Sequence, residues 1–286
     1  MNKTKKTKKE VHKNNKLNDL TGSEWIQLTK SWFILHPKQR KDKEFTHPAK
    51  FPEELAEKFI SFFSKKKQVV FDPFAGIGSS LVAAENLNRI GIGIEYSKKY
   101  VDMGKKRLKN ISAENKHLFI KGDSQKLTEI WKNKKNKLPK KVDFIITSPP
   151  YWNMLGESRG NVLSAHQKRK LKGLDMTYSN KKCDLGNIKN YDEFLSALQS
   201  IFEQSYSVLK NGGYMVVVIQ NLRIKNGEMC TLAWDLAKTL NEKTEWKFVA
   251  EQIWLQDNKQ LGIWGYPSTF VSNIHHHYCL VFKKQK

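Results

Sequence analysis

The chain is short of cysteine, of acidic side chains and of long apolar runs, and each shortage narrows what it can be. Its 286 residues hold three cysteines, Cys183, Cys230 and Cys279. They are odd in number and far apart, which argues against a disulfide framework and fits reduced thiols in a cytoplasmic protein. No apolar run approaches the roughly 18 residues of a membrane span. The N-terminus lacks the apolar segment of a secretory signal. Acids are outnumbered, 28 Asp and Glu against 51 Lys and Arg, for a net charge of +23. Residues 1–17 carry seven lysines, one glutamate and few apolar side chains. Residues 1–19 therefore read as a basic disordered tail, leaving 20–286 as a single domain with ample material for a core. Without residues 1–17 the chain still carries +17. Distributed lysines suit a phosphate backbone, because counterion release rewards them. An acidic partner, an anionic surface or lysine-favouring genome composition would account for the charge as well.

Two segments carry chemistry. Val142-Asp143-Phe144-Ile145-Ile146 reads as a strand and leads into Thr147-Ser148-Pro149-Pro150-Tyr151-Trp152. Two prolines remove two N–H donors and hold Ser148 extended. The result is an edge of backbone carbonyls and one hydroxyl beside two aromatic faces, which matches a planar heterocycle bearing an exocyclic amine. A plain surface turn after a strand would also fit this hexapeptide taken alone. Upstream, Val69-Val70-Phe71-Asp72-Pro73-Phe74-Ala75-Gly76-Ile77-Gly78-Ser79-Ser80 reads as strand, glycine turn and helix start. The next strand, Ile90–Ile94, ends on Glu95, where an acid can bind ribose hydroxyls. Ser79-Ser80 stand where the dinucleotide fingerprint has its third glycine. That favours a nucleoside with an uncharged linker over a pyrophosphate cofactor.

Alternation of strand and helix continues to the C-terminus. Helices are expected at Lys98–Lys109, around Ser124–Trp131, at Tyr191–Lys210 (ended by Gly212-Gly213) and at Met229–Leu240. Strands are expected at His117–Lys121, Tyr214–Ile219, Trp246–Leu255 and His276–Phe282. The sum is an α/β three-layer fold with a seven-stranded, mostly parallel sheet and a terminal antiparallel pair. The ends of its first and fourth strands belong at the topological switch point, where open sheets bind ligands.

Asp72–Gly78, Gly93-Ile94-Glu95 and Ser148–Tyr151, in this order and spacing, resemble the amino-methylating DNA methyltransferases that use S-adenosylmethionine. Phe45-Thr46-His47-Pro48-Ala49-Lys50-Phe51-Pro52 resembles the segment that precedes the glycine loop in that family. The resemblance covers about residues 20–284 and implies a Rossmann-like methyltransferase fold. It implies that Asp72 holds the methionine ammonium, that Phe74, Gly76 and Gly78 line the cofactor, that Glu95 takes the ribose and that Asp123 takes the adenine amine. Phe45, Thr46 and Lys50 would close the methionine side. Ser148, Pro149, Pro150 and Tyr151 would form the catalytic edge, working by positioning and not by a covalent nucleophile. A base must leave its stack to reach them. No cysteine follows a proline, unlike in carbon-5 cytosine enzymes. Serine at the first motif position points to N4 of cytosine, with N6 of adenine as the alternative. The implied partners are double-stranded DNA and a cognate restriction endonuclease; the oligomeric state stays open. An RNA or protein methyltransferase and a non-catalytic DNA-binding module are the readings from other classes.

Other features read more plainly. His275-His276-His277 alternate across a strand with no cysteine pair or carboxylate nearby, so they are expected at a strand edge near phosphate and not on a metal. Trp254, Trp264 and Tyr266 are expected to be packing residues. Residues 153–190 carry eight Lys and Arg against three acids and are, with Asp257–Ile274, the candidates for a DNA-contacting or recognition loop.

Overall fold

The computed structural model describes residues 10–37, 52–134, 137–152, 185–224 and 227–286. Alternating side chains build the sheet. Val70, Phe144, Ile146, Val216, Val218, Cys279 and Val281 pack on one face against Leu55, Phe59, Ile60 and Phe63 of α2 (Glu53–Phe63). Their neighbours Phe71, Ile145, Met215, Val217, Leu280 and Phe282 face the opposite way. There they meet Phe194, Leu198, Ile201 and Phe202 of α6 (Tyr191–Val208) and Leu236 and Leu240 of α7 (Leu232–Lys243). A strand buried on both faces reads as a continuous apolar run, which is what these segments show.

The chain begins with α1 (Gly22–Leu28), whose N-terminus is closed by a Thr21–Glu24 capping box, and β1 (Trp32–Ile34). After α2 come β2 (Val69–Asp72), α3 (Ser79–Asn86), β3 (Ile90–Glu95), α4 (Lys98–Asn110) and β4 (Leu118–Lys121). A 3-10 turn at Ser124–Lys126 leads into α5 (Leu127–Asn133), then β5 (Val142–Thr147). Around α6 and α7 lie β6 (Leu209–Ile219), the paired two-residue strands β7 (Leu222–Arg223) and β8 (Met229–Cys230), then β9 (Lys247–Leu255) and β10 (His276–Lys283). The main sheet has the order β1-β9-β10-β6-β5-β2-β3-β4, in which β10 alone runs against its neighbours. From β2 the chain winds outward to β4, returns to β5 on the other side of β2 and winds the opposite way. The switch point therefore lies between the tips of β2 and β5, as expected.

Several boundaries differ from the sequence reading. An eighth strand, β1, adds to the seven as a parallel edge on β9; three residues carry too little periodicity to announce a strand whose identity is set by its partner. The sixth helix stops at Val208 and not at Gly212-Gly213. The Leu209 N–H donates to the Ser205 and Tyr206 carbonyls, and the strand starts there. Met229-Cys230 pair with Leu222-Arg223 before α7 begins. Within residues 10–19, assigned to the tail on composition, Asn15, Leu17 and Asn18 pack against the body while residues 10–14, 16 and 19 are exposed. Asn18 is buried and its Nδ2 donates to the Phe62 carbonyl at 2.7 Å, while Lys65 Nζ donates to the Asn15 carbonyl at 2.6 Å. Polar residues with defined backbone partners can be ordered without an apolar face, which composition alone does not register. Residues 1–9 and residues 153–184 of the basic insertion lie outside the described residues; Leu185, just after it, is buried in the core.

Phe119 of β4 connects core to loop. Its ring sits against Gly104 of α4, where a built Cβ would come 1.8 Å from it, and against Gly78, where the distance would be 3.2 Å. Alanine is the better helix former by about 1 kcal/mol, but here overpacking prevails. Gly104→Ala should lower the unfolding free energy in urea by about 1–3 kcal/mol; unchanged or increased stability would show that Phe119 yields freely.

Candidate active site

The C-terminal tips of β2, β3, β4 and β5 line one edge of the sheet and carry Asp72, Glu95, Asp123 and Ser148 in turn. Between Asp72 and α3 the chain turns through Gly76 at φ 53° and Gly78 at φ 80°. Both lie in the left-handed region that glycine enters at little cost, which lets the loop double back across the strand tips.

Asp72 is buried, and each of its oxygens is occupied. Oδ1 accepts from the Thr147 hydroxyl at 2.6 Å and from the Phe74 N–H at 2.9 Å; Oδ2 accepts from the Ser80 hydroxyl at 2.6 Å. One carboxylate thus ties together the tip of β2, the start of α3 and the tip of β5. Burial pushes the Asp72 carboxyl up to about 6, against the pull of hydrogen bonds from Ser80, Thr147 and Phe74.

Glu95 braces the glycine loop. Its Oε2 accepts from the Gly76 N–H at 3.0 Å and its Oε1 from the Ser97 N–H at 2.7 Å. The backbone is stitched as well, with the Ala75 N–H donating to the Ile94 carbonyl at 2.9 Å. Asp123 caps the 3-10 turn, accepting from the Gln125 N–H at 3.0 Å, and the Ser124 hydroxyl donates to the Pro73 carbonyl at 2.5 Å. Phe74 packs edge-on against Phe202, ring centroids 6.4 Å apart, at the margin of the core.

Beyond Thr147, Pro149 is buried while Ser148, Pro150, Tyr151 and Trp152 are half-buried. The Tyr151 ring lies 6.4 Å from that of His277, and His277 stacks on Trp254 at 4.9 Å. Trp152 meets Tyr191 edge-on at 5.1 Å. Two ring nitrogens beside Tyr151, Trp152 Nε1 and His277 Nδ1, are buried and have no hydrogen-bond partner among the described residues. Buried polar atoms are rarely left so in a finished site. Burial, with Lys259 and His276 nearby, takes His277 down to about 3, so its imidazole is neutral at physiological pH.

The described candidate residues therefore converge on one edge, while Phe45, Thr46 and Lys50 lie outside the described residues. His277 departs from the strand-edge reading, because it turns inward toward Tyr151 and not outward to phosphate. Three consecutive histidines do not reveal which one faces in. Sequence reasoning also assigned no role to Thr147 and Ser80, although each interrupts an apolar run at a turn. It passed over the Glu53–Arg107 ion pair too. Arg107 Nη2 lies 2.5 Å from Glu53 Oε1 and Nη1 donates to the Ile77 carbonyl at 2.9 Å, while the Ser79 hydroxyl donates to Glu53 at 2.9 Å. That network clamps the outer side of the glycine loop to α2 and α4. Its partners lie 54 residues apart, so no local pattern reveals it.

The sequence model of the DNA methylase family, its N6/N4 group, matches residues 1–106 and 142–286. The chain belongs to that family. Among curated relatives, the family member is 46% identical over 88 residues to the orphan methyltransferase M.BamHII of Bacillus amyloliquefaciens, covering 30% of this chain and 33% of that one. It is 31% identical over 84 residues to the type II methyltransferase M.BglII of Bacillus subtilis, covering 29% and 23%. The methylase chain thus matches a third or less of the length of these relatives. Among solved structures, TrmN from Thermus thermophilus aligns with a TM-score of 0.50 at 14% identity, over 82% of this chain and 49% of that one. That likeness concerns the fold.

Asp72 sets a pH dependence. Its ordinary value is 3.8 and its folded value about 6. Between the two the folded chain holds a proton that the unfolded chain has lost. Stability from this group is therefore complete below the lower value and is lost as pH rises through the upper one, by about 3 kcal/mol in all. Asp72→Asn should remove this fall. Urea titrations of both proteins between about pH 4 and pH 8 check it; parallel curves would contradict it.

Proposed function

We propose that this methylase uses S-adenosylmethionine to methylate the exocyclic amine of a base flipped out of double-stranded DNA, N4 of cytosine in preference to N6 of adenine. The observation that carries the reading is the Thr147–Asp72 hydrogen bond, which joins the Ser148–Tyr151 edge directly to the glycine loop. A cofactor held by one and a base held by the other would share one switch point. A cognate nuclease would be a partner on the same reading.

The residues present suit the cofactor. Gly76 and Gly78 turn the loop through the left-handed region so that its backbone crosses the strand tips, Glu95 and Asp123 offer carboxylates from adjacent strand tips, and Asp72 offers one beneath the loop. On this reading Asp72 faces the methionine ammonium, Phe74 lies beside it, Glu95 takes the ribose and Asp123 the adenine amine. When bound, the cofactor supplies an electrophilic methyl group on a sulfonium.

The chain's own part is to make a poor nucleophile available. An exocyclic amine is delocalised into its ring, and acceptors that draw its hydrogens out of the ring plane localise the lone pair. Ser148 Oγ and the Pro149 carbonyl are those acceptors. Both prolines lack N–H groups, so the edge presents acceptors without competing backbone donors. Tyr151 stacks on the base, while the unpartnered Trp152 Nε1 and His277 Nδ1 support a polar, planar guest. Preorganised dipoles in a half-buried cleft cost no reorganisation at the moment of transfer.

Binding and chemistry should separate. Glu95→Ala should weaken cofactor affinity by about 1–3 kcal/mol, since it removes acceptors for the ribose and the brace on Gly76. Ser148→Ala and Tyr151→Ala should cut methyl transfer by roughly a hundredfold with cofactor affinity close to wild type. Calorimetry and radiolabelled transfer to unmethylated DNA measure the two. Wild-type transfer in either edge variant would remove it from the catalytic assignment.

The base is decided by nucleoside analysis. A neutral hydroxyl and a carboxylate differ in acceptor strength, which is the modest physical basis for preferring cytosine. Digested DNA should yield N4-methylcytosine by mass spectrometry. N6-methyladenine alone would overturn that preference and leave cofactor and mechanism intact.

A further inference from the structure

From Asn258 to the C-terminus the chain contains no aspartate or glutamate. The connection between β9 and β10, residues 256–275, also holds the most exposed large apolar side chains among the described residues. Ile263 is 86% exposed, Tyr266 83% and Phe270 92%. Tyr266 is thus not the packing residue that its sequence context suggests. Such a concentration of apolar surface on one loop marks an interaction site.

The loop is built to hold that shape. Asn273 staples it, with Oδ1 accepting from the Gly262 N–H at 2.9 Å and from Trp264 Nε1 at 3.0 Å, and Nδ2 donating to the Gly262 carbonyl at 3.0 Å. The Ser268 and Thr269 N–H groups donate to the Gly265 carbonyl, closing the tip. At the base, the Gln256 N–H donates to the His275 carbonyl and Lys259 Nζ to the Ile274 carbonyl, and Arg223 Nη2 reaches Ser272. The loop's single acid, Asp257, is paired with His36 at 2.5 Å.

Its position relates it to the site. β9 runs in the same direction as β5 and β6, and β10 returns, so the loop rises from the sheet edge that carries Ser148–Tyr151. Its C-terminal foot reaches His277, whose ring lies 6.4 Å from Tyr151.

We propose that residues 256–275 form a wedge that enters duplex DNA beside the target nucleotide, with Ile263, Tyr266 and Phe270 occupying the stack that the flipped base vacates. The wedge rests on the proposed function in taking DNA as its partner. Apolar side chains between base steps are a physical means of holding a duplex open. The charge favours this occupant over a second copy of the chain, because a +23 molecule meets DNA attractively and itself repulsively.

The probe is a short duplex of mixed sequence, either intact or carrying one abasic site, titrated with the full chain without cofactor. A wedge fills a ready-made gap without the cost of unstacking, so the wild type should bind the abasic duplex roughly tenfold more tightly. The triple variant Ile263→Ser, Tyr266→Ser, Phe270→Ser should bind both duplexes alike. Wild-type cofactor affinity and circular dichroism in that variant would show an intact fold, and Phe270→Ala alone should give an intermediate preference. The proposal is overturned if the wild type shows no preference or if the triple variant keeps it. Sedimentation showing that the triple substitution turns a dimer into a monomer would overturn it too, since a second copy would then be the occupant. If the wild type prefers the abasic duplex yet transfers no methyl group to any DNA, the enzymatic reading fails and the wedge stands.

Discussion

Asp72 sits where the sheet changes winding direction, and its carboxylate is shared among Thr147, Ser80 and the Phe74 backbone. The two halves of the site come from segments about seventy residues apart, and a parallel strand pair alone aligns them only loosely: β2 and β5 are paired at just two positions. The side-chain bonds of Asp72 supply the remaining alignment, at the cost of burying an acid. A fully apolar residue here would spare the desolvation but leave two hydroxyls and an N–H without an acceptor. That trade fits the proposal that this acid also faces a charged ligand.

Around this point the glycine loop is held from three sides. Glu95 takes the Gly76 N–H from the strand side, the Glu53–Arg107 pair holds Ile77 and Ser79 from the helix side, and Phe119 supports Gly78 from below. A loop of small residues would otherwise be among the freest parts of the chain. Bracing it in advance lowers the ordering cost when a ligand arrives. The same logic governs the Ser148–Tyr151 edge, where two prolines do locally what the hydrogen bonds do across the sheet.

The charge is not spread evenly over the chain. Of the 28 Asp and Glu, none falls after Asp257. An apolar loop whose single acid is paired, at the rim of a positively charged protein, combines the two properties a nucleic-acid partner rewards: long-range attraction to phosphate and short-range affinity for bases.

Much of this was determined by local chemistry. Apolar runs with intervening turns specify the order of strands and helices, because period and punctuation are properties of neighbouring residues. Gly76 and Gly78, Glu95 at a strand tip and the proline-locked Ser148 edge were legible for the same reason, and the family follows from their order. Long-range geometry was not legible. That Thr147 converges on Asp72, that Arg107 meets Glu53, that His277 turns toward Tyr151 and that Trp32–Ile34 adds an edge strand all depend on partners tens to hundreds of residues away. Composition likewise assigned residues 10–19 to a tail, because it counts side chains and does not see that Asn15 and Asn18 bond the backbone. Exposure of Tyr266 and Phe270 belongs to the same class: an aromatic residue in a loop can be core or contact, and only the packing of the remaining chain leaves these in water.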